Sequence, residues 1–334
     1  MLNNKSVLIT GGTGSLGQAL TLSILEKYPK IKRVIIFSRD EQKQFQMAQI
    51  FPKEKYPAIR FLIGNIRDLD RLKRALREVD YVIHTAAMKH VHLAEYNPME
   101  CVKTNVLGAE NLINACLESN VKRVIALSTD KAAAPINLYG ATKLVSDKLF
   151  VAANNIVGKN EIKFSVVRYG NVLCSRGSVV PFFLDLVKKN SSFIPITDEK
   201  MTRFIITLKQ SVNFVLNSMN MMKGGEIFIP KIPSIKIINL AEYLAPKIKT
   251  KIVGIRPGEK LHEVLCPVDD SHLILEFNKY YIIKPSIDIF RKINFKKNIK
   301  GEIGKKVNQN FEYNSLNNKE WLNKSSLIKL INNN

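Results

Sequence analysis

A tyrosine and a lysine four residues apart, Tyr139 and Lys143, are a pair of side chains that could do chemistry. In a helix, residues four apart share one face, so the two side chains would lie side by side. A nearby ammonium group lowers the pKa of a phenol, and the tyrosinate can then remove the proton of an alcohol at neutral pH. The pair therefore predicts a base for alcohol oxidation.

A second polar group, Thr129, Asp130 and Lys131, directly follows a short apolar run. An acid beside an amine suits proton donation and proton removal in one reaction, with the Thr129 hydroxyl orienting a substrate oxygen. Structural interpretations stand beside this one, because strand ends followed by polar residues are common. Asp130 could cap a helix or form a turn, and Lys131 could be a solvated loop charge.

Three glycines, Gly11, Gly14 and Gly17, stand three residues apart between a strand-like run and a helix-like run. A strand, then glycines, then a helix allows backbone N–H groups and a helix N-terminus to hold a pyrophosphate. An ordinary strand-to-helix turn is the alternative. The spacing predicts a dinucleotide-binding loop, which would also include Thr13, Ser15 and Leu16.

The residues after the second strand bear on which dinucleotide is bound. An acidic residue directly after that strand would bind the 2′-hydroxyl of NAD, but Ser38 and Arg39 stand there instead. A hydroxyl and a guanidinium suit a 2′-phosphate, so the sequence favours NADP over NAD, with Arg39 as a solvated charge the alternative. Further cofactor contacts are predicted for Asp40, Lys43, Asn65, Ile66, Ala86, Lys89 and Thr104. Lys89 could equally be an exposed loop lysine, and Thr104 could instead cap and pack its helix.

Six short runs rich in valine and isoleucine recur along the first half of the chain, with helix-like segments between them. Runs that are apolar throughout indicate strands covered on both faces, and alternation with helices indicates parallel crossovers. The sequence therefore predicts an α/β fold, a Rossmann-type doubly wound parallel sheet with a smaller C-terminal substrate-binding lobe. The predicted strands contain residues 7–9, 34–37, 61–63, 81–83, 124–127 and 164–167.

The chain has 334 residues, which exceeds the usual size of a single hydrophobic core. After about residue 168, proline and glycine become frequent, as is typical of a lobe whose loops line a cleft. We predict a NADP-binding Rossmann domain at 1–168, mainly a substrate lobe at 169–290, and a basic Asn/Lys-rich C-terminal segment at 291–334.

The composition narrows the class of protein. An apolar fraction of 46% is that of a globular protein, and no run approaches the roughly 20 apolar residues of a membrane span or resembles a signal peptide. The 4 cysteines form no CxxC pair, so we expect free thiols in a cytoplasmic protein without a metal site. A net charge of +22 indicates an anionic partner, either nucleic acid or a phosphorylated small molecule; we favour a solvated basic surface over nucleic-acid binding.

Several segments together resemble one family. The GGTGSLG loop, the STDKA strand end and YGATK are similar to those of extended short-chain dehydrogenase/reductases that modify nucleotide sugars. Within that group, FSRDEQK, AAMKHVHLAEYNP, MTRF and GIRPGEKLHEV resemble the inverting UDP-N-acetylglucosamine 4,6-dehydratases that open bacterial pseudaminic acid synthesis. The resemblance reaches FEYNS and WL near the C-terminus, so it covers nearly the whole chain.

The resemblance implies a reaction in which NADP is regenerated. Tyr139 takes the proton of the sugar 4-hydroxyl as hydride passes to the cofactor, and the resulting ketone acidifies the proton on C-5. Lys131, neutral in a partly desolvated site beside Lys143, removes that proton, while protonated Asp130 donates to the departing 6-hydroxyl. Hydride then returns to C-6, and C-5 is reprotonated from the opposite face. The enzyme would be a hydro-lyase with UDP-2-acetamido-2,6-dideoxy-β-L-arabino-hex-4-ulose as its product.

The resemblance also bears on specificity and partners. Related retaining dehydratases carry Asp-Glu where this chain has Asp130 and Lys131, which ties Lys131 to inversion. We expect Val172 to contact the cofactor, Lys143 to bind nicotinamide ribose hydroxyls, and Glu259 either to bind substrate or to pair with a nearby arginine. Contacts to the UDP-sugar are predicted for Lys89, Tyr139, Asn171, Gly177, Ser178, Arg203 and Arg256.

Two other functions remain open from the sequence. An epimerase acting at C-4 or C-5 of a UDP-N-acetylhexosamine would share the fold. A catalytically inert NADP-binding regulator would belong to another class and would use its basic surface for a macromolecular partner. The resemblance favours the dehydratase. It also implies a homo-oligomer, which is a hexamer in this family, and no membrane association. Flagellin glycosylation is the expected use of the product.

Overall fold

The structure is a computed structural model that describes residues 1–159, 161–175, 177–287 and 293–332. The first half of the chain alternates strands with helices. Its strands are β1 (Ser6–Thr10), β2 (Arg33–Ser38), β3 (Ile59–Ile63), β4 (Tyr81–His84), β5 (Arg123–Thr129) and β6 (Lys163–Tyr169). Its helices are α1 (Ser15–Lys27), α2 (Glu41–Ile50), α3 (Leu69–Ala75), α4 (Val91–Tyr96), α5 (Pro98–Val102), α6 (Gly108–Leu117) and α7 (Leu138–Ala152), with a π-helical turn at Lys103–Leu107 and 3₁₀ turns at Asp130–Ala132 and Ala153–Asn155.

The second half has shorter elements. Its strands are β7 (Asn171–Val172), β8 (Phe193–Ile196), β9 (Thr202–Ile206), β10 (Ile227–Pro230), β11 (Ser234–Lys236), β12 (Lys249–Ile252), β13 (Val264–Cys266), β14 (Ile274–Glu276), β15 (Tyr280–Ile283), β16 (Lys305–Lys306) and β17 (Tyr313–Asn314). Its helices are α8 (Val179–Lys188), α9 (Leu208–Met221), α10 (Ile237–Leu244) and α11 (Lys324–Asn332), with a 3₁₀ turn at Val268–Leu273. Within the described residues, no helix is both long and apolar enough to cross a membrane.

One sheet of ten strands forms the main layer, in the order β16-β14-β15-β10-β6-β5-β4-β1-β2-β3. Neighbours from β3 to β10 run parallel, and β15, β14 and β16 add an antiparallel edge. Strands of a parallel sheet are covered on both faces, and every residue of β1 and β4 is buried. The α/β fold class and the six strands predicted from the valine-rich and isoleucine-rich runs are confirmed.

A second hydrophobic core lies beside the sheet, with buried side chains from α8, β8, α10 and α11. The chain reaches this core after β6, close to the predicted boundary at residue 168, and then returns to the main sheet through β10, β14 and β15. The basic C-terminal segment is divided in the same way, because β16 pairs with β14, β17 pairs with β13, and Leu327 is buried in the second core. The residues after β6 therefore contribute both to the main sheet and to the second core, and so does the C-terminal segment.

A π-helical turn between α5 and α6 carries the buried Asn105. The Asn105 side chain accepts a hydrogen bond from the Met88 N–H at 2.8 Å and donates to the Met88 carbonyl at 2.9 Å and to Thr142 Oγ1 at 3.0 Å. Such turns occur often at functional sites. Asn105 thereby ties the loop after β4 to helix α7.

A buried ion pair holds α7 against the sheet. Arg168 on β6 is 2% exposed and donates from Nη2 to Asp147 Oδ2 at 3.1 Å and from Nη1 to the Leu265 carbonyl at 3.1 Å. The Ser128 hydroxyl donates to the same Asp147 oxygen at 2.7 Å. The Arg168 guanidinium therefore links β6 and α7 to β13, and the Asp147 carboxylate also binds the end of β5.

Removing the Arg168 charge should cost far more stability than removing an exposed one. Arg168→Met leaves the Asp147 carboxylate buried without its cation, and breaking a buried pair in this way costs about 3–5 kcal/mol of unfolding free energy. Lys189→Met is the control, because Lys189 and its partner Asp185 are both largely exposed. Urea denaturation measures both losses; equal losses would contradict the role given to Arg168.

Candidate active site

The turn that carries Asp130 and Lys131 packs directly against the tyrosine helix. β5 ends at Thr129, the 3₁₀ turn follows at once, and α7 begins at Leu138. A Cβ atom at Gly140 would overlap the Lys131 carbonyl oxygen, so glycine is what allows the first turn of α7 to lie on the 3₁₀ turn. The two candidate groups of the sequence are thus joined in space.

Asp130 lies at the centre of the acid–base group. Its Oδ1 accepts hydrogen bonds from the Thr129 hydroxyl at 2.9 Å and from Lys131 Nζ at 3.1 Å. Its Oδ2 is buried and has no hydrogen-bond partner in the described part of the chain. Burial, and after it the Glu263 carboxylate, raises the pKa of Asp130. A carboxyl group with a raised pKa suits a proton donor.

Glu263 is a third acid–base residue in this group, and it was not predicted from the sequence. Its Oε1 lies 3.0 Å from Lys131 Nζ and 3.7 Å from Arg203 Nε. The Glu263 N–H donates to Ser315 Oγ at 2.9 Å, and the Ser315 N–H donates to the Glu263 carbonyl at 2.8 Å. The C-terminal segment of the chain therefore fixes a residue of the site.

The expectation that Lys131 is neutral was wrong for this arrangement. Burial would lower its pKa, but the carboxylates of Asp130 and Glu263 outweigh burial and raise the pKa of Lys131. For Glu263 the balance is the reverse: burial would raise its pKa, whereas Lys131 and Arg203 together lower it. The sequence suggested only a like charge near Lys131, because Glu263 is distant along the chain.

Tyr139 and Lys143 both lie on α7 and are both buried. Burial raises the pKa of Tyr139 to about 12, against the opposing effects of the Lys131 ammonium and a hydrogen bond with Thr129. Burial lowers the pKa of Lys143, and Asp147 opposes that shift. The predicted lowering of the Tyr139 pKa by Lys143 was therefore wrong for this arrangement: burial raises that pKa, and Lys131 is the charge that opposes the rise most.

His84, at the end of β4, is a buried neighbour of Lys143. It is 1% exposed, and its Nδ1 is hydrogen-bonded to Thr10 Oγ1 at 2.8 Å. Burial, with a smaller effect of Lys143, lowers the pKa of His84 to about 3. The imidazole is therefore neutral at neutral pH and adds no charge beside Lys143.

The glycine loop between β1 and α1 has a shape that fits a pyrophosphate. Gly11 adopts φ +64°, and a Cβ there would lie 2.8 Å from the Ala86 Cα, so glycine allows the two backbones to approach. A Cβ at Gly17 would overlap the Gly12 backbone. Gly14 precedes α1 and makes no side-chain cap, which leaves the first N–H groups of the helix for an anion. The loop and the first helical turn also contain the other predicted members, Thr13, Ser15 and Leu16.

The residues predicted to select the dinucleotide lie at the end of β2. Ser38 is buried, and its Oγ accepts a hydrogen bond from Gln44 at 3.1 Å, whereas Arg39 is exposed. Asp40 caps α2 by accepting from the Lys43 N–H at 2.9 Å, and its other oxygen lies 2.6 Å from Lys43 Nζ. Arg39 is thus the exposed guanidinium of this strand end, while Lys43 is paired with Asp40.

Three more predicted cofactor residues are held by contacts within the protein. Asn65 Oδ1 accepts from the Arg67 N–H at 3.1 Å, and Ile66 is buried. Thr104 Oγ1 accepts from Arg67 Nε at 3.1 Å and donates to the Glu100 carbonyl at 2.8 Å. Arg67, which the sequence did not single out, therefore joins the loop after β3 to the π-helical turn.

A cavity of about 660 Å³ opens beside Lys131. Asn171 Oδ1 and Ser178 Oγ are buried without hydrogen-bond partners among the described residues, and both residues line the cavity, as expected of groups that bind a polar ligand. Burial lowers the pKa of Lys89, which also lines it. Tyr139 and Val172 are outside its lining. The cavity brings together Lys89, Lys131, Asn171, Gly177, Ser178, Arg203 and Arg256.

Two further charged residues, Glu259 and Lys260, line the cavity. Glu259 pairs with Arg203 at 3.7 Å, the pairing that we gave as one of two possibilities. Lys260 Nζ donates to the Ala133 carbonyl at 2.5 Å, and burial lowers its pKa. Lys260 and Glu263 both lie in the GIRPGEKLHEV segment, so that motif was the signal that could have identified them.

The strand order, the glycine loop and a tyrosine helix beside the cavity together define an extended short-chain dehydrogenase/reductase fold of the kind used by nucleotide-sugar enzymes. The chain belongs to the polysaccharide biosynthesis protein family, whose pattern matches residues 7–285.

Two relatives illustrate the range of activities in this group. The chain is 57% identical to the UDP-N-acetylglucosamine 4,6-dehydratase (inverting) of Campylobacter jejuni over 333 residues, 99% of this chain and 98% of the relative. It is 39% identical to a UDP-glucose 4-epimerase of Rickettsia akari over 338 residues, 99% of this chain and 96% of the relative.

Solved structures share the fold. Pen from Bacillus thuringiensis is 38% identical, with a TM-score of 0.88 over 100% of this chain and 99% of that one. A dTDP-glucose 4,6-dehydratase from Streptomyces venezuelae, solved with NAD bound, is 22% identical, with a TM-score of 0.68 over 77% of this chain and 86% of that one. At that identity the second likeness concerns the fold only.

The buried His84 should make the protein sensitive to acid. Its folded pKa of about 3 is below the ordinary value of 6.5, so below pH 6.5 the unfolded state binds more protons and stability falls as the pH falls. Between pH 7 and pH 5 this amounts to about 2 kcal/mol of unfolding free energy.

His84→Asn should remove that part of the loss, whereas His272→Asn, at an exposed position, should not. Urea midpoints at the two pH values provide the measurement. If the wild type and His84→Asn lost the same stability on acidification, His84 would not be the buried neutral group described here.

Proposed function

We propose that this protein is a UDP-N-acetylglucosamine 4,6-dehydratase that inverts C-5. The observation that carries the proposal is the Asp130–Lys131 pair, in which a buried acid contacts an amine that lines a cavity large enough for a nucleotide sugar. The name of the 57% identical relative supports the substrate. The epimerase relative makes epimerisation the alternative to be tested.

Tyr139 is assigned to the oxidation at C-4. Burial raises the pKa of Tyr139, whereas Lys131 and Thr129 oppose that rise and favour the ionised phenol, the form that takes the proton of the 4-hydroxyl. A bound nicotinamide dinucleotide would accept hydride from C-4 and return it to C-6. The glycine loop and the start of α1 would hold its pyrophosphate, with Lys143 at the ribose hydroxyls.

Asp130 and Lys131 are assigned to the elimination. The ketone at C-4 acidifies the C-5 proton, which Lys131 removes from the cavity side. Asp130, whose pKa is raised by burial, gives its proton to the 6-hydroxyl, which leaves as water. Because a bound cofactor would end as it began, the net reaction would be the loss of one water, that of a hydro-lyase.

We also propose the substrate contacts and the wider setting. The uridine diphosphate would lie against Asn171, Ser178, Arg203 and Arg256, whose donors suit a pyrophosphate and a uracil.

The product would serve pseudaminic acid synthesis and flagellin glycosylation in the cytoplasm. Exposed apolar side chains on α4 and α5, with Tyr96 at 86% exposed, support a homo-oligomer, and a hexamer is the form expected from the family.

The cofactor is a nicotinamide dinucleotide, and NADP is the form that we propose. Arg39→Ala should weaken NADP binding by about 10- to 100-fold and leave NAD binding almost unchanged, because only NADP has the 2′-phosphate. Lys32→Ala, an exposed residue just before the other end of β2, is the control and should change neither affinity. Fluorescence titration measures the affinity of each variant for NADP and for NAD. An equal loss of affinity for both cofactors in Arg39→Ala would refute the assignment of Arg39.

Turnover in deuterated water tests the reaction itself. The wild-type enzyme with NADP should convert UDP-N-acetylglucosamine to a product that has lost one water and carries one solvent deuterium at C-5. Mass spectrometry and proton NMR measure both changes. A product that has not lost water would favour the epimerase instead.

Lys131→Met should abolish dehydration and deuterium exchange at C-5 while NADP stays bound, because the variant keeps the apolar stem and lacks the amine. Lys148→Met, on the exposed face of α7, is the matched control and should turn over normally. Normal dehydration by Lys131→Met would mean that another group is the base.

A further inference from the structure

Lys131 carries a proton that it must lose before it can act as a base. Its Nζ lies 3.1 Å from Asp130 Oδ1 and 3.0 Å from Glu263 Oε1, and both acidic groups favour the ammonium form. An ammonium has no lone pair with which to remove a proton from carbon. A nearby group must therefore take one Nζ proton when the ketone is in place.

We infer that Glu263 is the positioning residue that takes this proton from Lys131 and so converts the lysine into the C-5 base. The Glu263 oxygen is within hydrogen-bond distance of Nζ, and the residue is 1% exposed and lines the cavity. The proton would pass along this contact to Oε1. The other oxygen, Oε2, is buried without a partner in the described chain, so no donor there opposes protonation of the carboxyl group. This inference rests on the proposed dehydratase function.

Asp130 is less suited to receive that proton. It must hold its own proton for the departing hydroxyl, and its Oδ1 already accepts from both Thr129 and Lys131. Glu263 instead holds a charge at rest, since Lys131 and Arg203 together outweigh the effect of burial on its pKa. The titratable and charged groups around Lys131 are Asp130, Tyr139, Arg203, Lys260 and Glu263.

The transfer balances without any external reagent. One Nζ–H bond of Lys131 breaks and one O–H bond forms on Glu263, which leaves a neutral amine beside a neutral carboxylic acid. The amine then takes the C-5 proton, the C-6–oxygen bond breaks, and Asp130 gives its proton to the leaving hydroxyl. Burial lowers the cost of this neutral pair, although the surrounding charges keep Lys131 and Glu263 ionised at rest.

The test compares the wild type with Glu263→Gln in single turnovers in deuterated water. At pH 7 the rate of deuterium incorporation at C-5 should fall about 100-fold in Glu263→Gln, within the range that proton transfer contributes to catalysis. In the variant the Lys131 proton must go to solvent, so its rate should rise about tenfold per pH unit between about pH 7 and 9. The wild-type rate should change little over that range, because its transfer is internal.

A structural role would give a different result. If Glu263→Gln were slow at every pH, or as fast as the wild type, the inference would be overturned while the dehydratase function stood. Glu226→Gln is the matched control, because it removes another buried carboxyl group far along the sheet and should leave exchange and its pH dependence unchanged. If Glu263→Gln fails to fold, Glu263→Asp replaces it and should show a slower but pH-independent exchange; a pH-dependent rate there would overturn the inference.

A wild-type enzyme that does not dehydrate UDP-N-acetylglucosamine at all would instead remove the proposed function, and this inference with it. Thermal unfolding of each variant with and without NADP separates lost proton transfer from lost structure, since Glu263→Gln should still be stabilised by NADP as the wild type is.

Discussion

The Arg168 guanidinium is buried, and a buried charge must be paired because its desolvation is so costly. Its contacts to Asp147 and to the Leu265 carbonyl join helix α7 to strand β13, and the Ser128 hydroxyl brings the end of β5 to the same carboxylate. These three elements carry Tyr139, Glu263 and Asp130 at or next to their ends. One ion pair in the core thus determines how the acid–base groups meet.

A second cluster of charges builds on that frame. Lys131 lies between two carboxylates, and Arg203 lies 3.7 Å from the nearer Glu263 oxygen. Two cations and two acids share one partly buried site, so the protonation of each depends on the others. Burial, and after it the Glu263 carboxylate, raises the pKa of Asp130, whereas Lys131 and Arg203 lower that of Glu263 against the effect of burial. A proton donor and a proton acceptor thus lie within a few ångströms of each other.

Much of the fold could be predicted, because it depends on local patterns. The apolar runs marked the first six strands of the parallel sheet, and the glycine spacing marked a loop in which Gly11 and Gly17 permit close backbone contacts. The return of the chain to the sheet through β10 and β14 could not be predicted, since short strands far apart in sequence carry no signal of their partners. The same limit applied to the basic tail, which supplies Ser315 to the site.

The charge states of the site residues were harder to predict than which residues form the site. Asp130, Lys131 and Tyr139 were identified from spacing and resemblance, but the charge state of Lys131 depends on Glu263, which reaches it only through the folded chain. Likewise, Lys131 has more influence than Lys143 on Tyr139, although Lys143 is the one at helical spacing. Sequence distance indicates which residues share a helix face; it does not indicate which charges meet across a cavity.

The central claim is that Lys131 is the group that faces C-5 of the sugar. A crystal structure of the protein with NADP and UDP-N-acetylglucosamine bound tests it most directly. We expect Lys131 Nζ to be the titratable atom nearest to C-5, within about 3.5 Å, with Tyr139 at the 4-hydroxyl and Asp130 towards the 6-hydroxyl. A sugar bound with C-5 facing any other titratable side chain, or with Lys131 turned away from it, would contradict the account.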